Sequence, residues 1–360
     1  MQRVGIMTGG GDAPGLNAVI RGFVKRAAGQ LGWEVVGIKD SFNGLLDNPR
    51  RMHVMQPQAC RGLLVAGGTV LGTTNRGDPF AWRMPDGSVV DRSEEVAQAV
   101  REERLDGIVS IGGDGTQAIS LRLMVERGVP VVGVPKTIDN DLSATDYTFG
   151  FQSAVAVATD ALDRLRTTAE AHERVIFLEV MGRDAGHIAL SAGIAGGADV
   201  ILVPEIPYDP VRVATKIRDR SEKGRPFSVV VVAEGALPAE RDGRAITESE
   251  RKTRLKRGGG AAAIAMAQLD GRIDHEMRSC VLGHLQRGGS PVPMDRILAT
   301  RFGVAAVDLI EQGRWGEMVR LHNGSVSGVS IAEAVSTYRL VDADGELVRT
   351  ARAVGVEFGA

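Results

Sequence analysis

Aromatic residues make up only 4% of this chain, too few to supply the stacking surfaces that grip single-stranded nucleic acid. Cysteine is nearly absent. Cys60 and Cys280 cannot build a disulfide framework, and neither sits at a metal-binding spacing. That usage predicts a reducing, cytoplasmic compartment. Charge of either sign is not in excess. The net charge of −2, with basic residues dispersed, excludes nucleic acid and anionic membrane surfaces as expected partners. An anionic small substrate would have to be met by local arginines. No run of 18 apolar residues occurs, so no membrane span is expected. The first residues enter a strand directly, without the long apolar core of a signal peptide. No short-period repeat is present.

What remains is the composition of an ordinary globular enzyme, 43% apolar and 24% charged, with length for two cores in 360 residues. The most informative stretch is Val131-Val132-Gly133-Val134-Pro135-Lys136-Thr137-Ile138-Asp139-Asn140-Asp141. It opens as a buried strand and breaks into a polar cluster with one cation and two carboxylates. Parallel sheets bind ligands at the carboxyl ends of their strands. There one carboxylate can serve as base while the other supports a metal or a polar network. A solvated loop with Asx turns would have the same composition.

The rest of the chain repeats this layout. Residues 3–8 predict a strand that ends in Gly9-Gly10-Gly11-Asp12-Ala13-Pro14-Gly15, with a helix from about Leu16. Glycines and a helix N-terminus together suit phosphate, although the pattern is neither the Walker nor the dinucleotide one. Glu34–Ile38 predicts a strand, and 66–80 a Gly/Thr loop carrying Arg76. Residues 83–93 predict an exposed hairpin or insertion, with Pro85-Asp86-Gly87 as a turn signal. Leu105–Ile111 predicts a buried strand ending in Gly112-Gly113-Asp114-Gly115-Thr116, before a helix carrying Ile119, Leu123 and Val125. A carboxylate among phosphate-binding N–H groups calls for a cation between, and Mg²⁺ suits that place. A helix over 151–169 follows, and then strands at 174–181, 199–203 and 227–233, ending at Arg183, Glu205 and Glu234. Gly258-Gly259-Gly260 opens another helix. A strand at 278–282 leads to Gly283-His284-Leu285-Gln286-Arg287-Gly288-Gly289-Ser290-Pro291. The next helix places Ile297, Leu298, Phe302 and Ala306 on one side. The last forty residues are weakly patterned, with a hairpin expected over Leu340–Leu347 around Asp344-Gly345. The alternation of strands and helices predicts an α/β protein made of two parallel halves.

Five segments in this order resemble the phosphofructokinase family along nearly the full length. They are the Gly10–Asn17, Gly112–Thr116, Pro135–Asp141, Met181–Arg183 and Gly283–Pro291 runs. The resemblance implies two Rossmann-like three-layer α/β/α domains with mostly parallel sheets and an active site in the cleft between them. The donor domain would take 1–150 plus about 286–336, and the sugar-phosphate domain 151–285 plus about 337–360. It implies Mg²⁺-dependent phosphoryl transfer from ATP to the 1-hydroxyl of fructose 6-phosphate. Asp139 matches the base. Thr137, Gly11 and Arg183 match its catalytic companions, and Asp141 a second site carboxylate. Gly11, Arg76, Gly113, Asp114, Gly115, Thr116 and Lys136 fall at the donor, with Asp114 beside the metal. Met181, Gly182, Arg183, Glu234, His284 and Arg287 fall at the sugar phosphate. Arg174 and Arg278 match arginines lent across a subunit interface, so a homo-oligomer, tetramer or dimer, is implied. Arg21, Arg166, Lys223, Arg225 and Asp199 resemble the family's effector positions.

Two departures bear on the donor. The loop from Asp78 to Asp91 is longer than in the compact bacterial kinases, so adenine contacts do not carry over. Lys136 stands where those kinases have glycine and where pyrophosphate-using relatives have lysine. Gly115 leaves room for the α-phosphate of a nucleotide, whereas Lys136 excludes neither donor. ATP is therefore the expected donor. A pyrophosphate enzyme or a kinase of another phosphosugar, such as sedoheptulose 7-phosphate, is the alternative.

Overall fold

The computed structural model describes residues 1–240 and 247–360. These form two compact units. The first comprises Met1–Ile138, Leu142–Ser153 and Arg287–Tyr338, and the second Asp139–Asp141, Ala154–Gln286 and Arg339–Ala360.

The chain opens with β1 (Arg3–Thr8), α1 (Leu16–Gln30), β2 (Glu34–Ile38), α2 (Asn43–Leu46) and β3 (Met52–Val54). A small hairpin, β4 (Trp82–Arg83) and β5 (Val89–Val90), comes next, followed by α3 (Ser93–Glu102). Then come β6 (Gly107–Gly112), α4 (Asp114–Arg127), β7 (Val131–Thr137), β8 (Phe149–Gly150) and α5 (Phe151–Ala171). The second unit continues with β9 (Val175–Val180), α6 (His187–Ala195), β10 (Val200–Leu202), α7 (Pro210–Glu222) and β11 (Ser228–Ala233). After these stand α8 (Glu248–Gly258), α9 (Ala261–Leu269) and β12 (Met277–Val281). The chain returns to the first unit with α10 (Pro293–Glu311), β13 (Glu317–His322), β14 (Ser325–Ser330) and α11 (Ile331–Ala334), and α12 (Glu346–Ala353) closes the second.

In the first unit the strand order is β14-β13-β7-β6-β1-β2-β3, with β8 on β7. The inner strands β7, β6, β1 and β2 are parallel, while β3 and β14 run antiparallel at the edges. Every residue of β6 and β7 is buried, because helices cover both faces. The two-residue period of a strand divides its side chains between those layers. Val109 and Val132 join α1 and α10 in one cluster, and Ile108 and Val131 join α3 and α4 in the other. Glycine lets α1 and α10 pack closely. A Cβ on Gly22 would stand 2.8 Å from the Thr300 carbonyl, and one on Gly303 would meet the Val19 carbonyl.

The second unit has a four-stranded parallel sheet, β10-β11-β9-β12. The central strands β9 and β11 are wholly buried, and α7 and α9 close one face. The edge strand β12 is half to fully exposed.

Two local expectations fail. The Leu340–Leu347 hairpin does not form. Asp344-Gly345 instead turns the chain into α12, whose Val348 and Ala351 are buried three residues apart, a helical spacing. The hairpin of this region is β13–β14. Its two-residue loop, Asn323-Gly324, has φ of +49° and +77°, as a primed turn requires. In addition, Ile297 is 61% and Val125 71% exposed, so neither joins the apolar face of its helix.

Candidate active site

In the first unit the strand ends converge on the loop after β1. The Gly10 amide donates to the Thr74 carbonyl (3.0 Å), and the Thr73 hydroxyl to the Gly10 carbonyl (2.6 Å). These bonds fasten the Gly/Thr loop to the glycine loop. Lys136, 4% exposed, reaches back from the end of β7 and donates its ammonium to the Gly11 carbonyl. Arg287 donates Nη1 to the Asp12 carbonyl at 3.0 Å. A Cβ on Gly11 would stand 2.9 Å from that same nitrogen, so glycine there lets the guanidinium lie against the backbone. The structure therefore brings Gly11, Lys136 and Arg287 together. Arg76 has an exposed side chain, and its amide donates to the Thr74 hydroxyl (2.9 Å).

The second glycine loop opens α4. Gly113 is the residue before that helix and Asp114 its first residue. A Cβ on Gly113 would lie 3.2 Å from the Lys136 carbonyl, whereas one on Gly115 meets nothing within 4 Å. Thr116 is buried, its hydroxyl 3.6 Å from where a Cβ on Gly10 would stand. Tyr338 donates its phenol O–H to Asp114 Oδ2 at 2.7 Å. Gln117, fully buried, donates Nε2 to the carbonyls of Ser110, Gly112 and Val134 at 3.0, 3.2 and 3.1 Å. It laces the ends of β6 and β7 and so holds the two site loops in register. Thr137, which ends β7, is 8% exposed, and its carbonyl accepts from the Thr148 hydroxyl (2.8 Å).

In the second unit Asp139 and Asp141 are each only 6% exposed, with Asn140 between them at φ +55°. Glu234, at the end of β11, accepts from the amides of Arg183 (2.8 Å) and Gly182 (3.3 Å). Those amides face the carboxylate because Gly182 (φ +143°) and Arg183 (φ +53°) both turn left-handed. Gln286 Oε1 accepts from the Met181 amide at 3.3 Å. Glu179 accepts from the Ala262 amide (2.8 Å), and burial, with the Glu234 charge adding, raises its carboxyl above the usual range. Glu179, Arg183 and Glu234 line a cavity of about 410 Å³, together with Arg251 and Lys252. His284 is exposed on a short 3₁₀ turn.

Arg174 and Arg278 stand together, both bonded to the carboxylate of Glu276 at the exposed edge of the second sheet. Their hydrogen bonds and charges, Arg174's foremost, hold Glu276 below the usual carboxylate range. Asp199 is committed to Arg220 (2.8 Å) and the Val229 amide (2.9 Å).

Sequence reasoning missed Thr73, Gln117 and Tyr338. Gln117 left one faint signal, a polar residue on the covered side of a helix just after a glycine loop. Tyr338 left none, since it lies 224 residues from its partner. Among the described residues no cluster of three His, Cys, Asp or Glu could cage a metal, and no helix is long and apolar enough to cross a membrane.

The chain is similar to known proteins along its whole length. A family profile described as Phosphofructokinase matches residues 3–310. The chain is 49% identical to the ATP-dependent 6-phosphofructokinase 1 of Synechocystis sp. over 359 residues, covering 100% of this chain and 99% of that one. It is 50% identical to the ATP-dependent 6-phosphofructokinase of Chloroflexus aurantiacus over 358 residues, covering 99% and 98%. Among solved structures, phosphofructokinase from Saccharomyces cerevisiae superposes with a TM-score of 0.75 at 29% identity. That match covers 93% of this chain, which spans 45% of the yeast chain. A pyrophosphate-dependent phosphofructokinase from Nitrosospira multiformis has the same fold, with a TM-score of 0.81 at 21% identity and coverage of 99% and 92%.

Proposed function

This chain belongs to the phosphofructokinase family and moves a phosphoryl group from ATP to fructose 6-phosphate in glycolysis, and we propose how its residues divide that work. The donor groups are carried by the first unit: Gly11, Arg76, Gly113, Asp114, Gly115, Thr116 and Lys136. The acceptor groups are carried by the second: Asp139, Asp141, Arg174, Met181, Gly182, Arg183, Glu234, Arg278 and His284. Arg287, assigned to the sugar phosphate by resemblance, counts with the first unit and bonds beside Gly11. Its guanidinium is a phosphate ligand in this reading.

Phosphoryl transfer asks little covalent chemistry of a protein. It needs alignment, neutralisation of the equatorial oxygens and a base for the hydroxyl. Asp139 takes the proton of the sugar 1-hydroxyl as that oxygen attacks the γ-phosphorus, and ADP leaves with the bonding pair. The Gly11 amide, the Thr137 hydroxyl, the Lys136 ammonium and the Arg183 guanidinium meet the charge that shifts onto oxygen. Glu234 fixes the Gly182–Arg183 turn and offers an acceptor to a sugar hydroxyl.

The donor set fits Mg²⁺. That ion binds through one or two carboxylates and keeps its remaining positions for phosphate oxygens and water. A single Asp114 in a glycine loop is such a donor set, and no all-protein cage is needed. When bound with the nucleotide, Mg²⁺ neutralises phosphate charge. The protein acts in the cytoplasm as a homo-oligomer, with Arg174 and Arg278 serving a neighbour's sugar phosphate.

The observation that carries ATP as donor is the open space over Gly115, set beside the full-length match to ATP-dependent relatives. Lys136, bonded to the Gly11 carbonyl, stands where pyrophosphate-using relatives have lysine but excludes neither donor. A coupled assay of the purified protein with ATP or pyrophosphate at saturating fructose 6-phosphate decides. We expect kcat/KM to favour ATP, and a preference for pyrophosphate would overturn the donor assignment. Faster turnover of sedoheptulose 7-phosphate would overturn the acceptor assignment.

A further inference from the structure

We propose that Tyr338 is a positioning residue for the donor site: its phenol O–H holds the Asp114 carboxylate in the orientation that receives the metal–nucleotide. The proposal rests on the reading of Asp114 as the Mg²⁺-associated carboxylate. Tyr338 lies in a segment to which neither motif nor resemblance gives a role.

The contact is specific. Tyr338 Oη stands 2.7 Å from Asp114 Oδ2, a good distance for O–H···O⁻. The ring is not there to fill a core, because Tyr338 is 61% exposed. Its backbone, by contrast, is fixed on two sides. Just before it, Ile331 and Ala334 of α11 are buried in the cluster that holds Leu123 of α4. At Tyr338 itself the chain forms an antiparallel bridge with Leu142, which is 2% exposed. A fixed backbone therefore presents an exposed phenol to one carboxylate oxygen.

The chemistry favours a phenol in this place. Asp114 begins α4, where short acidic side chains tend to fold back onto the unpaired amides of the first turn. A donor approaching from outside the helix opposes that. Tyrosine is neutral, so it orients the carboxylate without cancelling the charge a cation needs, as lysine or arginine would. Hydrogen-bond partners behind a metal-binding carboxylate commonly account for a 10–100-fold share of metal affinity.

Metal binding without turnover tests this. Mn²⁺ is titrated into the full-length protein with a non-hydrolysable ATP analogue, and free Mn²⁺ is read by electron paramagnetic resonance. Wild type, Tyr338→Phe and Asp114→Asn are compared, with fructose 6-phosphate binding and thermal melting measured alongside. Tyr338→Phe keeps the ring and the Leu142 bridge and removes one hydroxyl. We expect it to weaken Mn²⁺ binding about tenfold while leaving fructose 6-phosphate affinity and Tm as in wild type. A near-ultraviolet phenol difference band on adding Mn²⁺ and analogue should also appear in wild type and vanish in Tyr338→Phe. Unchanged or tighter Mn²⁺ binding in Tyr338→Phe, with Asp114→Asn impaired, overturns the role of Tyr338 and leaves that of Asp114. Wild-type Mn²⁺ binding in Asp114→Asn overturns the reading beneath it. Equal losses of Mn²⁺ and fructose 6-phosphate affinity in Tyr338→Phe, with a lowered Tm, assign the hydroxyl to the fold and overturn the proposal.

Discussion

Replacing Gly115 with aspartate should separate nucleotide from pyrophosphate with little cost to the fold. Gly115 is the exposed second residue of α4, and a Cβ there meets nothing within 4 Å. The substitution therefore creates no clash. Aspartate in a first helical turn is also favoured by the helix dipole, by about 0.3–1 kcal/mol. The penalty falls on the ligand. A carboxylate about 4 Å from an α-phosphate oxygen costs roughly 4 kcal/mol at an effective dielectric of about 20. Exposure and salt reduce this, so a loss of about 10²–10³-fold in kcat/KM for ATP is expected. Pyrophosphate has no phosphate at that position and should lose far less. The assay is kcat/KM for both donors at saturating fructose 6-phosphate and Mg²⁺, with a thermal melt of each protein. Two results would refute the reasoning. One is an ATP kcat/KM within about threefold of wild type, which would remove Gly115 from the donor's path. The other is a comparable loss with both donors.

Asp139→Asn should lower kcat by about 10²–10⁴-fold, the usual share of a positioned base, with little change in fructose 6-phosphate binding; near-normal kcat removes Asp139 from that role. If Arg174 and Arg278 serve a neighbouring subunit, light scattering should find an oligomer. Inactive variants of Asp139 and Arg278 should then regain activity when mixed, and a fully active monomer contradicts this. Burial, with the charge of Arg339 adding, holds His187 below the ordinary histidine pKa, although its Nε2–H donates to the Arg339 carbonyl (3.1 Å). The unfolded chain therefore takes up that proton first. The stability linked to His187 is complete above pH ~6.5 and lost as pH falls through the folded pKa. Melting curves from pH 8 to 5 should show His187→Gln losing less Tm on acidification than wild type. Parallel profiles would exclude the linkage, and the similarly depressed His53, present in both proteins, cancels in the comparison.

Local chemistry made much of this protein legible before any coordinates. An apolar run followed by glycines and carboxylates is written within a dozen residues. It marked the ends of β1, β6 and β7 as site loops, because a buried strand and a polar turn each have a composition of their own. The β13–β14 hairpin is local in the same way. Asn323-Gly324 is a strong turn signal, but the strands flanking it alternate only weakly. The Leu340–Leu347 segment differs from its expected hairpin for the opposite reason. Two leucines flanking Asp-Gly look like a hairpin, yet Val348 and Ala351 beyond them give α12 a face to bury. Contacts at long range were not written anywhere in the chain. Arg287 bonds to a carbonyl 275 residues away, and Tyr338 meets Asp114 across 224. Which side chain meets which loop depends on strand order and on where each helix returns the chain. Those are properties of the packed sheet, and they cost the sequence no local signal. The residue types needed for phosphoryl transfer were thus determined by the sequence alone. The partners that orient them were decided only when the first sheet was assembled in the order β14-β13-β7-β6-β1.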